Sequence, residues 1–509
     1  MSNEDNKPEN YKPEEQARDA EGPQEQEEAY IEIEVDPTKS PSRLQIKALA
    51  DYLGDHLAFQ SFYGATMGFF LYFAMYSLRK PYSVSKFLGD DGEPLQWFNT
   101  GLTLKTANVL FQILGYTSSK FLAVKVVSEV KGRQDYWLVG LYFTAILTLI
   151  LFGVLGTANP NLAPFALFLN GLPLALVWGM VVMYFEGRGG SDFMLVCLSI
   201  SFIVSSGIVK DVGLSVMQGW GVSQWWMPLV VGLLFGPVFL GCTWGLNQLP
   251  PPSLDEAKQK AVRTTMNTKD KLDYYKAYFA GLTALWVAVA FLTAFRDYRD
   301  SFSVEIIEGT GTEVVPGTLS KTETNVAGFL LIPIAALVFI KNNLRALIIS
   351  MTFLVGGAAI LIVTVSIYLG KPYDGVTYYM VTGVATYLAY VTYNSVLYER
   401  LIAYLKRPCT VGYLQAVMDA CGYVGVITIY VVAEYGNFDN QLDVFNVFGQ
   451  IFGWIMLVCW LFACFYFFMF RRNSLDYVPE PEDPQAKTDV DAIDETENGP
   501  SMASISNHN

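Results

Sequence analysis

The sequence predicts an all-α membrane protein with about twelve transmembrane helices in two six-helix bundles. Of its 509 residues, 52% are hydrophobic and only 16% are charged, whereas soluble proteins carry about 25% charged residues. Apolar stretches long enough to cross about 30 Å of hydrocarbon recur along the chain. A charged connection divides these stretches into two sets of six.

The first set predicts an N-terminal bundle at residues 58–249, and the second predicts a C-terminal bundle at residues 274–470. In chain order the first set lies near 59–87, 100–126, 136–158, 162–184, 192–216 and 225–247. The second set lies near 274–299, 325–340, 345–369, 376–404, 410–435 and 446–470. Residues 250–273 between the bundles form a polar linker, expected in the cytoplasm. Local kinks are predicted where prolines fall within spans, at Pro173, Pro237 and Pro333.

Both ends of the chain are predicted to be disordered acidic tails, residues 1–57 and 471–509. Residues 1–50 hold thirteen acids and six bases, and residues 473–509 hold nine acids and one base. Segments so rich in charge and poor in apolar residues cannot bury enough surface to fold alone. The net charge of −14 therefore belongs to the tails, and the body between them is close to neutral.

Basic residues concentrate in the connections on one side of the predicted bundles, the side that carries both termini. They include Lys125, Lys131, Arg133, Arg188, Lys260, Lys341, Arg345, Arg400 and Arg471. Acids dominate the opposite connections, among them Asp90, Glu93, Glu305, Glu308, Glu323, Asp374 and Asp443. By the positive-inside rule, both termini are expected in the cytoplasm.

Few residues suited to catalysis or metal binding occur in this chain. None of the six cysteines has CxxC or metal-ligand spacing, and the two histidines, His56 and His508, lie outside the predicted spans. No glycine-rich phosphate loop or nucleophile–histidine arrangement stands out. We therefore expect neither an enzyme nor a cofactor, and with a nearly neutral body we expect no nucleic-acid partner.

Arg79 and Lys80 lie inside the first predicted span, in the run FFLYFAMYSLRKPYSVSKF (69–87). A cation within a span costs about 2.5–3.5 kcal/mol on insertion scales, and such residues usually face a cavity or a ligand. A similar string returns in the second half, where YRDSFSV (298–304) matches LRKPYSV (78–84) and pairs Arg299 with Arg79. Matching cations in both halves predict one anion site between the bundles. The alternative is that Arg79 and Lys80 extend to the outer surface.

The seventh predicted span ends in FLTAFRDYRDSF (291–302), which supplies two candidate anion ligands, Arg296 and Arg299. Asp297 and Asp300 share a helix face and are candidate counter-ions for these arginines. The alternative for this segment is an internally neutralised helix end that faces the outer water.

Three further spans carry charged residues. Lys120 in the second span predicts a point charge nearer the inner side, with extension to the inner surface as its alternative. Lys210 and Asp211 are adjacent in the fifth span and predict either a coupling site or a neutralising pair between helices. Asp419 in the eleventh span has no adjacent base and is a candidate counter-ion or proton site.

The six-plus-six layout with a basic central loop is similar to that of the major facilitator superfamily. Within it, FAMYSLRKPYSVSKF and GYTSSKF resemble strings in the first two helices of the organophosphate:phosphate antiporters, and the whole chain resembles a largely uncharacterised branch. This resemblance implies that Arg79, Lys120 and one arginine of the seventh helix bind the anion. The family spacing implies Arg296, whereas the internal repeat favours Arg299. The fifth-helix histidine of these antiporters is absent, and Lys210 or Asp211 occupies that region.

The resulting hypothesis is a secondary carrier, an antiporter by resemblance, for a small organic anion whose charged group is a phosphate or a carboxylate. The planar fork of a guanidinium suits both groups. Tyr76, Tyr116 and Asn394 are candidates to line the path, with packing between helices as the alternative for each, and the protein is expected to be a monomer in the lipid bilayer. Two alternatives stay open: a proton-coupled symporter of another small solute, and a carrier-shaped receptor or scaffold that transports nothing.

Overall fold

A computed structural model describes residues 45–470, apart from 90, 130–133, 186–187, 189, 252–267, 339, 341, 408 and 437. The predicted tails up to residue 44 and from residue 471 lie outside the described residues, as do most of the linker and the side chains of residues 121–133. Within the described part, the regular structure is helical, with two isolated β-bridges at Leu88–Pro94 and Gln96–Thr103.

The N-terminal half opens with a short helix, α1 (Lys47–Asp55), and continues into the first long helix, α2 (Leu57–Ser77). A single 3₁₀ turn (Pro81–Val84) follows the end of α2. Four long helices come next: α3 (Leu104–Glu129), α4 (Gln134–Ala158), α5 (Ala163–Phe185) and α6 (Ser191–Trp220). The sixth span consists of two pieces, α7 (Met227–Leu234) and α8 (Gly236–Leu246).

The C-terminal half repeats this organisation. It begins with α9 (Thr268–Ala277), α10 (Phe279–Ser301) and the short α11 (Ser303–Gly309). Two long helices follow, α12 (Thr318–Val338) and α13 (Asn343–Gly370). The tenth span is α14 (Gly375–Thr392), a π-helical turn (Tyr393–Leu397) and α15 (Tyr398–Leu405). The last two are α16 (Val411–Tyr435) and α17 (Gln441–Phe465), which ends in a π-helical turn (Tyr466–Phe470).

The packing confirms the prediction of two six-helix bundles. In the N-terminal half α2 packs against α6 and α8, and in the C-terminal half α10 packs against α16 and α17. The pairs α3–α5 and α4–α5 correspond in the same way to α12–α14 and α13–α14. The bundles meet where α6 packs against α12 and α3 packs against α16, which are again equivalent pairs. The two halves are therefore parallel copies of one arrangement.

The chain is an integral, multi-pass membrane protein. Eight of the described helical segments are long and apolar enough to cross a membrane on length and composition alone. The other four predicted spans correspond to α2, α3, α12 and α14, which carry buried polar side chains such as Gln60, Gln112, Glu323 and Thr382. We call the end of the bundles with Gln45 and Phe470 the terminal end, and the opposite end the distal end.

Three boundary predictions are wrong, each for a local reason. The first span, predicted over 59–87, ends as a helix at Ser77, because Pro81 has no N–H to continue the helical hydrogen bonding and a 3₁₀ turn begins there. Helix α1 lies in the segment predicted to be disordered, where Leu53 is fully buried and the Ile46 N–H donates to Gln248 Oε1 at 2.7 Å. Helix α12 begins at Thr318, well before the apolar stretch predicted from 325.

Candidate functional site

Arg79 lies in the break that follows α2. The N–H groups of Arg79 and Lys80 both donate to the Tyr76 carbonyl, at 3.0 and 2.9 Å, and the 3₁₀ turn starts at Pro81. Arg79 is only 7% exposed and Lys80 only 5% exposed. Both side chains are therefore enclosed by the protein, so the alternative in which they extend to the outer surface is wrong.

Arg79 and Arg296 come from opposite bundles, and each packs against a tyrosine ring. The Arg79 Cζ lies 4.1 Å from the centroid of Tyr116, and the Arg296 Cζ lies 4.2 Å from that of Tyr390. The Nε atom of each arginine has no hydrogen-bond partner among the described residues. Tyr76 and Asp297 each interact electrostatically with both guanidinium groups, so the two arginines share one central neighbourhood.

Most other cations inside the bundles are neutralised by carboxylates. Lys80 lies 2.6 Å from Asp300, and Arg299 lies 2.9 Å from Glu323. Further ion pairs are Lys210–Asp300, Lys105–Glu305 and Lys120–Asp419. In the part of the chain that the structure describes, Arg79 has no carboxylate within ion-pairing distance, and the neighbour of Arg296 in sequence, Asp297, lies 3.7 Å from its Nη2.

The two candidate arginines of the seventh span differ in their surroundings. Arg299 is fully buried, with its Nη1 on Glu323 and its Nη2 donating to the Tyr379 carbonyl at 2.9 Å. Its Cζ also lies 3.8 Å from the Tyr379 ring centroid. These contacts engage the charge and the donors of Arg299, whereas Arg296 faces the central neighbourhood.

Glu323 is the partner that sequence reasoning missed. The sequence predicts an acidic connection at Glu323, because the predicted apolar stretch starts only at residue 325. In the structure it lies in the first turns of α12 and is 2% exposed. The available signal was Leu319, which falls on the same helix face as Val326 and is buried with it.

Lys210 and Asp211 do not neutralise each other, although they are adjacent. The Lys210 Nζ lies 2.7 Å from Asp300 Oδ1, and Asp211 Oδ2 accepts the Ser320 N–H at 2.6 Å. Adjacent residues on a helix project about 100° apart, which sends the two side chains to different partners. Both partners belong to the C-terminal bundle, so Lys210 and Asp211 connect α6 to the opposite half.

Asp297 and Asp300 take different positions beside this interface. Asp297 accepts a hydrogen bond from the Tyr430 hydroxyl at 2.9 Å, and its Oδ1 lies 3.8 Å from Lys80. Asp300 is held closely by two lysines and also accepts a hydrogen bond from Ser206. Asp297 is therefore the less tightly paired carboxylate, next to both central arginines.

Lys120 and Asp419 form an ion pair between α3 and α16 on the terminal side of the central arginines. Their side chains are 29% and 31% exposed. The pair lies beside the contact of Tyr116 with Tyr423, whose ring centroids are 6.0 Å apart. The carboxylate that lacked a neighbouring base in the sequence thus has a partner from the other bundle.

Asn394 lies in the π-helical turn of the tenth span. Its side-chain Nδ2 donates to the Tyr390 carbonyl at 2.9 Å, and its main-chain carbonyl accepts from Gln415 Nε2 at 3.1 Å. The side chain thus stabilises the turn that follows the tyrosine under Arg296.

Charged contacts connect the two bundles at the distal end. Lys86 in the first half lies 2.5 Å from Glu308 in the second, and Lys105 pairs with Glu305. Glu434 accepts a hydrogen bond from the Thr106 hydroxyl at 2.8 Å. The structure is therefore closed between the bundles at this end.

Residues 81–473 match the model of a family of unknown function, DUF5690. The chain belongs to this family. No curated protein matches it in sequence. Among solved structures, the nucleoside transporter NupG superposes with a TM-score of 0.52 at 15% identity, covering 80% of this chain and 98% of that one. A D-xylose-proton symporter superposes with a TM-score of 0.52 at 14% identity, covering 79% and 96%. At these identities the likeness establishes the shared fold.

Proposed function

We propose that this family member is a secondary active carrier of a small organic anion, which binds between Arg79 and Arg296. The observation that carries the proposal is the pair of guanidinium groups from opposite bundles, each with an unpartnered Nε among the described residues. Arg79 has no carboxylate within ion-pairing distance there, and Arg296 has only Asp297 at 3.7 Å, whereas most other cations inside the bundles are closely paired. The likeness in fold to NupG and to the D-xylose-proton symporter supports the carrier class. The substrates of those proteins are not transferred to this chain.

The physical basis is the cost of burying charge. A charged group removed from water is stabilised only when an opposite charge or hydrogen bonds replace its hydration. Two guanidinium groups that share a neighbourhood also repel each other, and the Tyr116 and Tyr390 rings offset only part of this, about 0.5–2 kcal/mol each. A phosphate or a carboxylate that bridges the two forks supplies both the charge and the acceptors.

Alternating access then follows from where the charges lie. Anion binding neutralises Arg79 and Arg296 across the two bundles and favours their approach. Without the anion, Asp297 serves as the counter-ion of both arginines. Lys120 and Asp419 border the site towards the terminal end, which we place in the cytoplasm. Because the bundles are joined at the distal end, by Lys86–Glu308 among others, the described conformation is closed to the outside.

A thermal-shift screen tests the anion site. Purified protein in detergent is heated with inorganic phosphate, a hexose phosphate, citrate or glucose, because a ligand of the folded state raises Tm by mass action. We expect at least one anion to raise Tm and glucose to have no effect. Arg79→Ala and Arg296→Ala should each abolish the shift.

The matched control is Arg400→Ala. Arg400 lies at the terminal end, where its Nη1 donates to Asn343 Oδ1 at 2.6 Å. Its replacement should leave the anion-dependent shift intact. An unchanged shift in Arg79→Ala would remove that residue from the site and contradict the proposal.

Proton-coupled symport is a second candidate, and the partial exposure of the Lys120–Asp419 pair favours it. Protonation of Asp419 would release Lys120 and separate α3 from α16. In proteoliposomes this mechanism predicts uptake driven by a pH gradient that Asp419→Asn abolishes. Anion counterflow in the wild type without a pH gradient supports the first proposal instead.

A further inference from the structure

We propose that Gln112, held in place by Asn170, is a positioning residue of the anion site, because it fixes the helix break that presents Arg79. The inference rests on the proposed function and deepens it. Gln112 belongs to a polar network inside the N-terminal bundle. This network contacts the main chain of Arg79 and leaves its guanidinium free.

The break after α2 creates a need for hydrogen-bond partners. A helix end leaves its last carbonyls without amide donors, and Pro81 has no N–H to offer. In apolar surroundings an unpaired carbonyl is costly, so irregular backbone at membrane depth needs partners from elsewhere in the protein. Gln112 on α3 supplies one, since its Nε2 donates to the Arg79 carbonyl at 3.0 Å.

The amide of Gln112 is fully engaged and therefore has a single orientation. Its Nε2 also donates to Asn170 Oδ1 at 3.0 Å, and its Oε1 accepts from the Tyr82 hydroxyl at 3.1 Å. Asn170 in turn donates to the Thr148 hydroxyl at 3.0 Å. Gln112 is 2% exposed and Asn170 is fully buried, so water does not compete for these groups. A satisfied buried network of this kind specifies one geometry.

Close backbone packing keeps Gln112 opposite Asn170. A Cβ atom at Gly115 would lie 1.9 Å from the Phe168 carbonyl oxygen, and one at Gly171 would lie 2.4 Å from the Gln112 carbonyl oxygen. Helices α3 and α5 therefore touch along their main chains, as small residues allow in membrane proteins. Neither helix can slide without a clash, which fixes the position of the Gln112 side chain.

Helix α3 thus holds Arg79 at two points. Gln112 and Tyr116 are one turn apart on the same face. Gln112 binds the main-chain carbonyl of Arg79, and Tyr116 lies under its guanidinium. Arg296 needs no such support, because it lies within the unbroken helix α10. The two arginines of the site are therefore held in different ways, and only the position of Arg79 depends on Gln112.

The test compares Gln112→Met with Asn446→Leu in the full-length protein. Asn446 is a similarly buried amide in the C-terminal bundle, where its Oδ1 accepts a hydrogen bond from the Tyr378 hydroxyl at 2.6 Å. Amide hydrogen exchange of residues 78–85 reports the break, and titration with inorganic phosphate reports the site. For Gln112→Met we expect exchange in 78–85 to accelerate and phosphate affinity to fall, each roughly tenfold, as for the loss of one hydrogen bond.

The control should lower Tm while leaving exchange in 78–85 and phosphate affinity unchanged. Wild-type exchange in 78–85 of Gln112→Met overturns the inference, and so does an equal acceleration in Asn446→Leu. Should Gln112→Met not fold, Asn170→Ala removes the acceptor that orients Gln112 and is expected to act in the same direction. If phosphate does not bind the wild type, the proposed function fails for this probe, and the exchange measurement still decides the role of Gln112.

Discussion

At the scale of single residues, Arg296 and Arg299 have the same side chain but different burial and different partners. They are three positions apart on α10, yet one is enclosed by Glu323 and Tyr379 and the other lies over Tyr390. The sequence indicated that one of them belongs to the site. It could not indicate which of the two is paired with a carboxylate, because the partner of Arg299, Glu323, belongs to another helix.

Arg299→Ala is predicted to destabilise the fold strongly. It would leave the Glu323 carboxylate buried without its partner, and breaking a buried pair from one side costs about 3–5 kcal/mol. Thermal unfolding in detergent should therefore show a large fall in Tm. The double variant Arg299→Met/Glu323→Leu removes both charges and should recover much of the loss. A single variant that is as stable as the wild type would contradict a structural role.

At the scale of helices, glycine contacts set how closely elements approach. Gly207 on α6 lies where a Cβ would be 2.6 Å from the Leu319 carbonyl oxygen, so α6 and α12 touch across the two bundles. Gly115 and Gly171 likewise allow α3 and α5 to touch within the N-terminal bundle. These contacts place the polar side chains of the central site at fixed separations.

Gly171→Ala is predicted to lower stability by about 1–3 kcal/mol, because the added methyl would collide with the main chain of α3. Gly140→Ala in α4 is the matched control, since nothing lies within 4 Å of a Cβ there. Alanine favours helix more than glycine does, so the control should be neutral or slightly stabilising. Equal Tm values for the two variants would show that α3 and α5 are not in close contact.

The number of membrane-spanning helices was predictable from the sequence, whereas the helix breaks and the ion pairs between helices were only partly predictable. Apolar stretches of membrane-spanning length identified the twelve spans, since the bilayer imposes that length. Pro81 signalled the end of α2, but the apolar residues after it extended the predicted span to residue 87. The cross-bundle pair Lys120–Asp419 was out of reach, because it joins residues that only the tertiary fold brings together.

At the scale of the whole molecule, lysines of the first half meet acids of the second at the distal end. Lys86–Glu308 and Lys105–Glu305 are examples, and Lys80 and Lys210 add a deeper layer at Asp300. In the proposed transport cycle, opening of this end requires all of these pairs to separate. The exposed pair contributes little, about 0–1 kcal/mol, so the buried layer governs the opening.

A cross-link at the distal end is predicted to stop transport. In a background without the native cysteines, Lys86→Cys/Glu308→Cys would be joined by a short, cleavable bifunctional maleimide. Counterflow in proteoliposomes should fall to background and return after cleavage, while each single variant should retain activity. Unimpaired counterflow in the cross-linked protein would mean that this end does not open.

The parallel packing of the two halves has a consequence for assembly. Each half has its own internal helix contacts, and side chains of α3, α6 and the break after α2 join the first half to the second. We therefore expect the halves to recognise each other without the peptide connection. Two separately translated fragments, cut within 252–267, are therefore expected to copurify as a functional complex.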